Sequence, residues 1–203
     1  MIRPSQWRPT RPLDFIGRTR AVAHLLSRKI CGMGENDTLK ILFFGPPGTG
    51  KTALAELLAL SAAGHSCCIE SMNGQSMSVE VVRRWIDGMQ YRTIWGRLVK
   101  VVDEIDAAST AAHNELRTYL DRMKHGVFIA TTNAPLDKLP IQFQTRVQPY
   151  KFEAIPASEI ASLMGCVSGG ALTATEKDTL AQNCGGCVRA ALLDAETILD
   201  SRT

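Results

Sequence analysis

The sequence predicts an α/β fold: a five-stranded parallel sheet flanked by helices, followed by a small all-helical lid. Three observations predict it. Short apolar stretches alternate with helix-period patterns over residues 21–152. A glycine-rich loop joins the first of those stretches to a helix, and beyond Ala154-Ile-Pro156 only helical patterns remain. The chain is accordingly divided near residue 155, into an α/β region over 1–155 and a helical lid over 156–203.

The elements follow in order. Residues 1–12 carry Arg3, Arg8 and Arg11 with no acid, interleaved with Pro4, Pro9 and Pro12. Proline fixes an extended backbone, so this basic arm is read as a solvated tail in preference to a phosphate contact. Helices are expected over 21–30, 52–62, 79–89 and 110–123. Buried strands are expected over 39–44, 67–71, 98–102, 127–131 and, less apolar, 148–152. Continuous apolar strands separated by helices imply a parallel sheet covered on both faces, with ligands at the carboxyl ends of its strands. Pro156 followed by Ala-Ser-Glu starts the lid, whose helices span 157–166, 175–183 and 188–200. Gly169-Gly170 and Gly185-Gly186 break them.

A chain of 203 residues with 45% hydrophobic content buries a substantial core, and a net charge of +3 permits a polyanionic partner without arguing for one. No apolar run approaches the ~18 residues needed to cross a bilayer. Met1-Ile-Arg-Pro4 lacks the apolar core of a signal peptide, so no membrane association and a cytoplasmic location are expected. Cysteines at 31, 67, 68, 166, 184 and 187 are read as reduced thiols. Cys184 and Cys187 have the spacing of metal ligands, but no second pair completes a tetrahedral site, so they are assigned to a helix-entry turn.

Chemistry concentrates in Gly45-Pro46-Pro47-Gly48-Thr49-Gly50-Lys51-Thr52-Ala53, the pattern G-x-x-x-x-G-K-[ST] between a strand and a helix. Glycines let backbone N–H groups turn inward around phosphate oxygens, Lys51 supplies a point charge, and Thr52 offers a hydroxyl to Mg2+. The predicted fold is thus a P-loop sheet, with ATP and Mg2+ as expected ligands. The strand 98–102 delivers Asp103 to the hydrated Mg2+ and Glu104 to the attacking water. Asn133, at the end of the strand 127–131, is placed to position that water; Arg146 offers a permanently charged fork for a transferred phosphoryl group, although its own segment favours an ordinary surface arginine.

This order of phosphate loop, Asp103-Glu104-Ile105-Asp106, strand-end Asn133 and Thr145-Arg146-Val147 resembles the AAA+ ATPases, and within them the clamp-loader group typified by the small subunits of replication factor C. Trp7-Arg8-Pro9 matches the group's aromatic-Arg-Pro opening, and Ile69-Glu-Ser-Met-Asn73 resembles its leucine-glutamate-leucine-asparagine segment. The resemblance implies that Ile16 and Gly17 border the adenine, and that Arg189, in Gly185-Gly-Cys-Val-Arg-Ala-Ala191, reaches the γ-phosphate from the lid. It also implies that Arg146 enters a neighbouring subunit's site in a homo- or hetero-oligomer, so that hydrolysis requires assembly. The chain stops at Thr203, where clamp loaders continue into a helical collar.

The resemblance further places Arg83 and Arg84, with Arg92, Arg97 and Lys100, on a channel that tracks DNA; the same arginines equally suit a solvated helix face. Trp85, Tyr91 and Trp95 are assigned to packing in preference to base stacking. The expected function is an ATP-hydrolysing subunit acting as an oligomer on DNA in replication, recombination or repair. The alternative is a nucleotide-gated adaptor that recruits a protein partner such as a clamp, helicase, nuclease or transposase.

Overall fold

A computed structural model describes residues 3–89, 91 and 96–202. Its sheet contains β1 (Thr38–Phe44), β2 (Ile69–Asn73), β3 (Val99–Asp103), β4 (Gly126–Thr132) and β5 (Gln148–Lys151), all parallel, in the order β2-β3-β4-β1-β5. Helices α1 (Gly17–Cys31) and α2 (Lys51–Ala63) cover one face; α3 (Val79–Gly88), α4 (Thr110–Arg122) and the single turn α5 (Ile141–Gln144) cover the other. The strand period of two sorts the side chains between these layers. Ile41 and Phe43, Val99 and Val101, and Val127 and Ile129 face α1 and α2, whereas Leu42, Val102, Phe128 and Ala130 face α3 and α4. Every residue of β4 is buried, as the middle strand of a doubly covered sheet must be.

Alanine governs how close α2 lies to the sheet. Its buried face, Leu54, Ala55, Leu58, Ala59, Ala62 and Ala63, is small enough to press the helix on β3 and β4. Ser78 and Ser109 begin α3 and α4 by accepting hydrogen bonds from the Val81 and Ala112 amides.

Register aligns the chemistry. Thr38 pairs Gly126 and Phe44 pairs Thr132, while Ile69 pairs Val99 and Asn73 pairs Asp103. The ends of β1, β2, β3 and β4 therefore meet along one edge, where the glycine-rich loop leaves β1. After Pro156 the chain continues as α6 (Ala157–Val167), α7 (Ala174–Asn183) and α8 (Val188–Asp200) around Ile160, Met164, Leu180, Ala191 and Ala195.

Two expectations about these elements are corrected. β2 begins at Ile69 rather than residue 67, because the His65 side chain accepts from the Cys67 amide and turns 66–68 into a 3-10 helix. The arm is not a solvated tail. Pro4 is buried against α8, the Ser5 amide donates to Glu196 Oε2 at 3.2 Å, Arg3 pairs with Glu196 at 3.4 Å, and Trp7 packs on the lid core. Proline rings and an indole give the arm apolar surface to bury, which a count of its charges ignores. Arg92 and Trp95 lie outside the described residues.

Candidate functional site

A cleft of about 420 Å³ opens between the carboxyl edge of the sheet, the arm and α8. The loop beside it, residues 45–50, is shaped by three glycines with positive φ: Gly45 (140°), Gly48 (71°) and Gly50 (92°). At Gly45 the backbone opposite leaves no room for a side chain, and at Gly48 the Cys187 side chain crowds the position. A Cβ on Gly45 would stand 2.1 Å from the Phe152 carbonyl oxygen, and one on Gly48 would stand 2.1 Å from Cys187 Sγ. Pro47, Gly48, Thr49, Gly50, Lys51, Thr52 and Ala53 line the cleft, whereas Gly45 and Pro46 lie behind it and present their carbonyls to Lys51.

Lys51 is 6% exposed, and its Nζ donates to the Gly45 and Pro46 carbonyls at 2.8 and 2.7 Å. Burial pulls its pKa down to about 8, the nearby Asp103 charge opposing the shift and Arg189 reinforcing it. Thr52 Oγ1 donates to Asp103 Oδ1 at 3.0 Å, and Thr131 Oγ1 also donates to Oδ1. This pair of oxygen ligands, at the start of α2 and the end of β3, suits a hard cation.

Glu104 is the one non-glycine residue with positive φ (53°) among the described residues. Such a conformation costs about 1–3 kcal/mol and persists only where neighbours over-determine it. Here the Glu104 amide donates to Thr131 Oγ1 at 3.3 Å, and Asn73 Nδ2 donates to Glu104 Oε2 at 3.0 Å. Gly74 is obligatory beneath it, since a Cβ there would lie 2.2 Å from the Glu104 carbonyl oxygen. Sequence reasoning had Asn73 only as part of a matching segment. Its role as a ligand of the Glu104 carboxylate appears once β2 is registered with Asn73 opposite Asp103.

The structure brings Lys51, Thr52, Asp103, Glu104, Asn133 and Arg189 to one cleft. Ile16 lines it too, while Gly17 opens α1 and donates its amide to Glu159 Oε2 of α6 at 2.5 Å, outside the lining. Trp7, Arg8 and Pro9 form part of the wall. Asp106 accepts from Thr132 Oγ1, which in turn accepts from the Ala134 amide at 2.9 Å and holds the turn that carries Asn133.

Arg146 is elsewhere. It follows α5 and is held by Asp121 of α4, away from the cleft. Arg83 pairs with Glu115 of α4 at 3.6 Å, and Arg84 is exposed. Arg97 donates to the Met33 and Gly34 carbonyls, and Lys100 pairs with Glu70 while standing 5.3 Å over the Trp85 ring, so neither presents a free charge. Trp85, 4% exposed and 5.5 Å from the Tyr119 ring, is core; Tyr91 is exposed. Cys184 is buried and Cys187 packs on Gly48; among the described residues no cluster of three metal-ligating side chains exists.

Residues 41–152 match the model of the ATPase family associated with various cellular activities (AAA). The replication factor C small subunit of Methanocella arvoryzae is 30% identical over 164 residues, covering 77% of this chain and 49% of that protein. The γ subunit of DNA polymerase III from Buchnera aphidicola is 28% identical over 192 residues, covering 82% of this chain and 50% of that protein. The chain thus spans about half the length of these curated relatives. In three dimensions a Thermotoga maritima RuvB variant superposes with a TM-score of 0.78 over 96% of this chain and 66% of that one, at 17% identity, which speaks for the fold alone. With the phosphate loop, both acids and most of the parallel sheet inside the matched span, the chain belongs to the AAA family of ATPases.

Proposed function

We propose that this chain binds ATP with Mg2+ and hydrolyses it as one subunit of an oligomer acting on DNA. The observation that carries the reading is the division of the candidate residues: six gather at one cleft, while Arg146 stands outside it on the surface. A subunit on its own has Arg189 at the cleft but not Arg146; a neighbour supplies that second fork.

The residues fit the ligands assigned to them. Turned-in glycine amides and the buried Lys51 suit a polyphosphate, and Thr52 with Asp103 suits the cation. When bound, Mg2+ neutralises phosphate charge and orients the oxygens. Glu104, held by Asn73 and the Thr131 hydroxyl, takes a proton from the attacking water, and Asn133 orients that water. Arg189, on the first turn of α8, brings the lid against the nucleotide; Ile16 and the arm residues Trp7, Arg8 and Pro9 wall the side left for the base.

Action on DNA is supported by the similarity to replication proteins and by the exposed Arg84; a net charge of +3 gives little further support. No helix among the described residues is long and apolar enough to cross a membrane, and all six cysteines are free, in keeping with a cytoplasmic protein. The test is ATP turnover per subunit against the protein's own concentration, with and without single-stranded, duplex and primed DNA. Specific activity that climbs with concentration and jumps with one DNA form is expected. Turnover independent of concentration would remove the oligomer, and indifference to every DNA form would transfer the role to a recruited protein partner.

A further inference from the structure

Arg146 is engaged on nearly every side. Its Nε donates to Asp121 Oδ1 at 2.7 Å and its Nη2 to Asp121 Oδ2 at 2.9 Å, a two-pronged fork on one carboxylate. Nη1 donates to the Gln142 carbonyl at 2.6 Å and, more weakly, to Thr145 Oγ1 at 3.4 Å. A guanidinium has five N–H donors, and these contacts take four of them. The edge best shaped for a phosphate, Nε with Nη2, is the edge that Asp121 occupies.

A third charge completes the arrangement. Lys40 reaches from β1 to the Leu120 carbonyl at 2.5 Å, next to Asp121 in the chain. Burial lowers its proton affinity first; the Asp121 carboxylate then raises it and the Arg146 cation lowers it, so Lys40 interacts with both members of the pair. Removing Arg146 leaves Asp121 in the fields of Lys40 and of Arg117 on α4, a carboxylate that still has cations nearby.

We propose that Asp121 is the resting partner of Arg146: it parks the guanidinium on its own subunit until the triphosphate bound by a neighbour exchanges for the carboxylate. This rests on the reading of Arg146 as the residue supplied in trans. Exposure suits the task. The Asp121 side chain is 50% and the Arg146 side chain 28% accessible, so water screens the pair and keeps it exchangeable, whereas a buried fork would be hard to open. The concentration at which subunits assemble into an active form then includes the opening of this pair, and losing it eases assembly by about two- to fivefold, the range of an exposed ion pair.

The experiment is the same titration of ATP turnover against subunit concentration, run for the native chain, Asp121→Asn, Asp121→Ala, Arg146→Ala and the Asp121→Asn/Arg146→Ala double variant. Half-maximal turnover at a two- to fivefold lower concentration in both Asp121 variants, with the plateau unchanged, is expected. In the Arg146→Ala background, Asp121→Asn should change nothing. A lower plateau with an unmoved midpoint would show that Asp121 aims Arg146 for reaction and does not hold it in reserve; an unmoved curve would show that the pair is idle. Either overturns the resting-partner assignment while Arg146→Ala stays inactive. Full turnover by Arg146→Ala would instead remove the trans reading on which the assignment stands.

Discussion

Lys51 ought to take up a proton when nucleotide arrives. Burial holds its pKa near 8 against an ordinary 10.5. That difference costs the folded, nucleotide-free protein on the order of 3 kcal/mol at neutral pH. The sign is fixed by proton counting: from about pH 8 to 10.5 the unfolded chain holds more protons than the folded one, so stability climbs with pH across that window. Nucleotide works the other way. A triphosphate beside Nζ favours the ammonium, and because phosphate is itself fully ionised above about pH 7, the proton taken up belongs to Lys51. Uptake per nucleotide should therefore be about 0.1 at pH 7, about 0.5 at pH 8 and about 0.9 at pH 9, with affinity falling about tenfold from pH 7 to pH 9. Calorimetric titration in two buffers of different ionisation enthalpy, with a chelator present, measures this directly. Uptake flat and near zero from pH 7 to 9, or the same profile in Lys51→Ala, would refute the argument.

Three other perturbations separate the remaining roles. Glu104→Gln keeps an acceptor for the Asn73 amide but loses the base, so nucleotide should bind and be retained while turnover drops by roughly 10^2–10^4; undiminished single-turnover hydrolysis would clear Glu104 of the role. Arg146→Ala should leave equilibrium nucleotide binding intact and lower assembled turnover by about 10^3–10^5, and a loss of binding by fluorescence titration would contradict its position outside the cleft. Gly48→Ala forces φ of 71° on an alanine and drives its Cβ to 2.1 Å from Cys187 Sγ. The melting temperature should fall by roughly 2–12 °C, with part recovered in the Gly48→Ala/Cys187→Ala double variant; equal melting temperatures for both variants would mean the lid cysteine does not press on the loop.

What could be read in the sequence was what short segments encode by themselves. The phosphate loop, Asp103-Glu104 and the strand-helix alternation are local: each needs only neighbouring residues of fixed type at fixed spacing. Contacts between distant segments were not legible. Cys67 and Cys68 continue the apolar run of β2, and only the bond from the Cys67 amide to His65 shows why the strand starts later and ends on Asn73. The arm looked like a charged tail because Arg3, Arg8 and Arg11 stand among prolines with no acid, yet Pro4 and Trp7 pack on the distant lid and Glu196 receives both Arg3 and the Ser5 amide. Arg83 and Arg146 were read from the sequence as cations aimed at phosphate. Nothing in their own segments announced Glu115 or Asp121, since ion-pair partners are chosen by tertiary packing.

Those long-range contacts determine what nucleotide can move. Arg189 rides on α8, whose first amide, that of Val188, donates to the Gly48 carbonyl at 3.0 Å, so the lid is hydrogen-bonded to the very loop that holds the phosphates. The opposite end of α8 is tied to the arm through Glu196, and α6 is tied to the start of α1 through Glu159 and the Gly17 amide. A ligand that draws Arg189 inward consequently pulls on one connected body, α8 with the arm, against a second anchor at Gly17. The lid also joins the sheet through residues 152–156, where the Phe152 amide bonds the Phe44 carbonyl and the Ile155 amide bonds the Gly186 carbonyl.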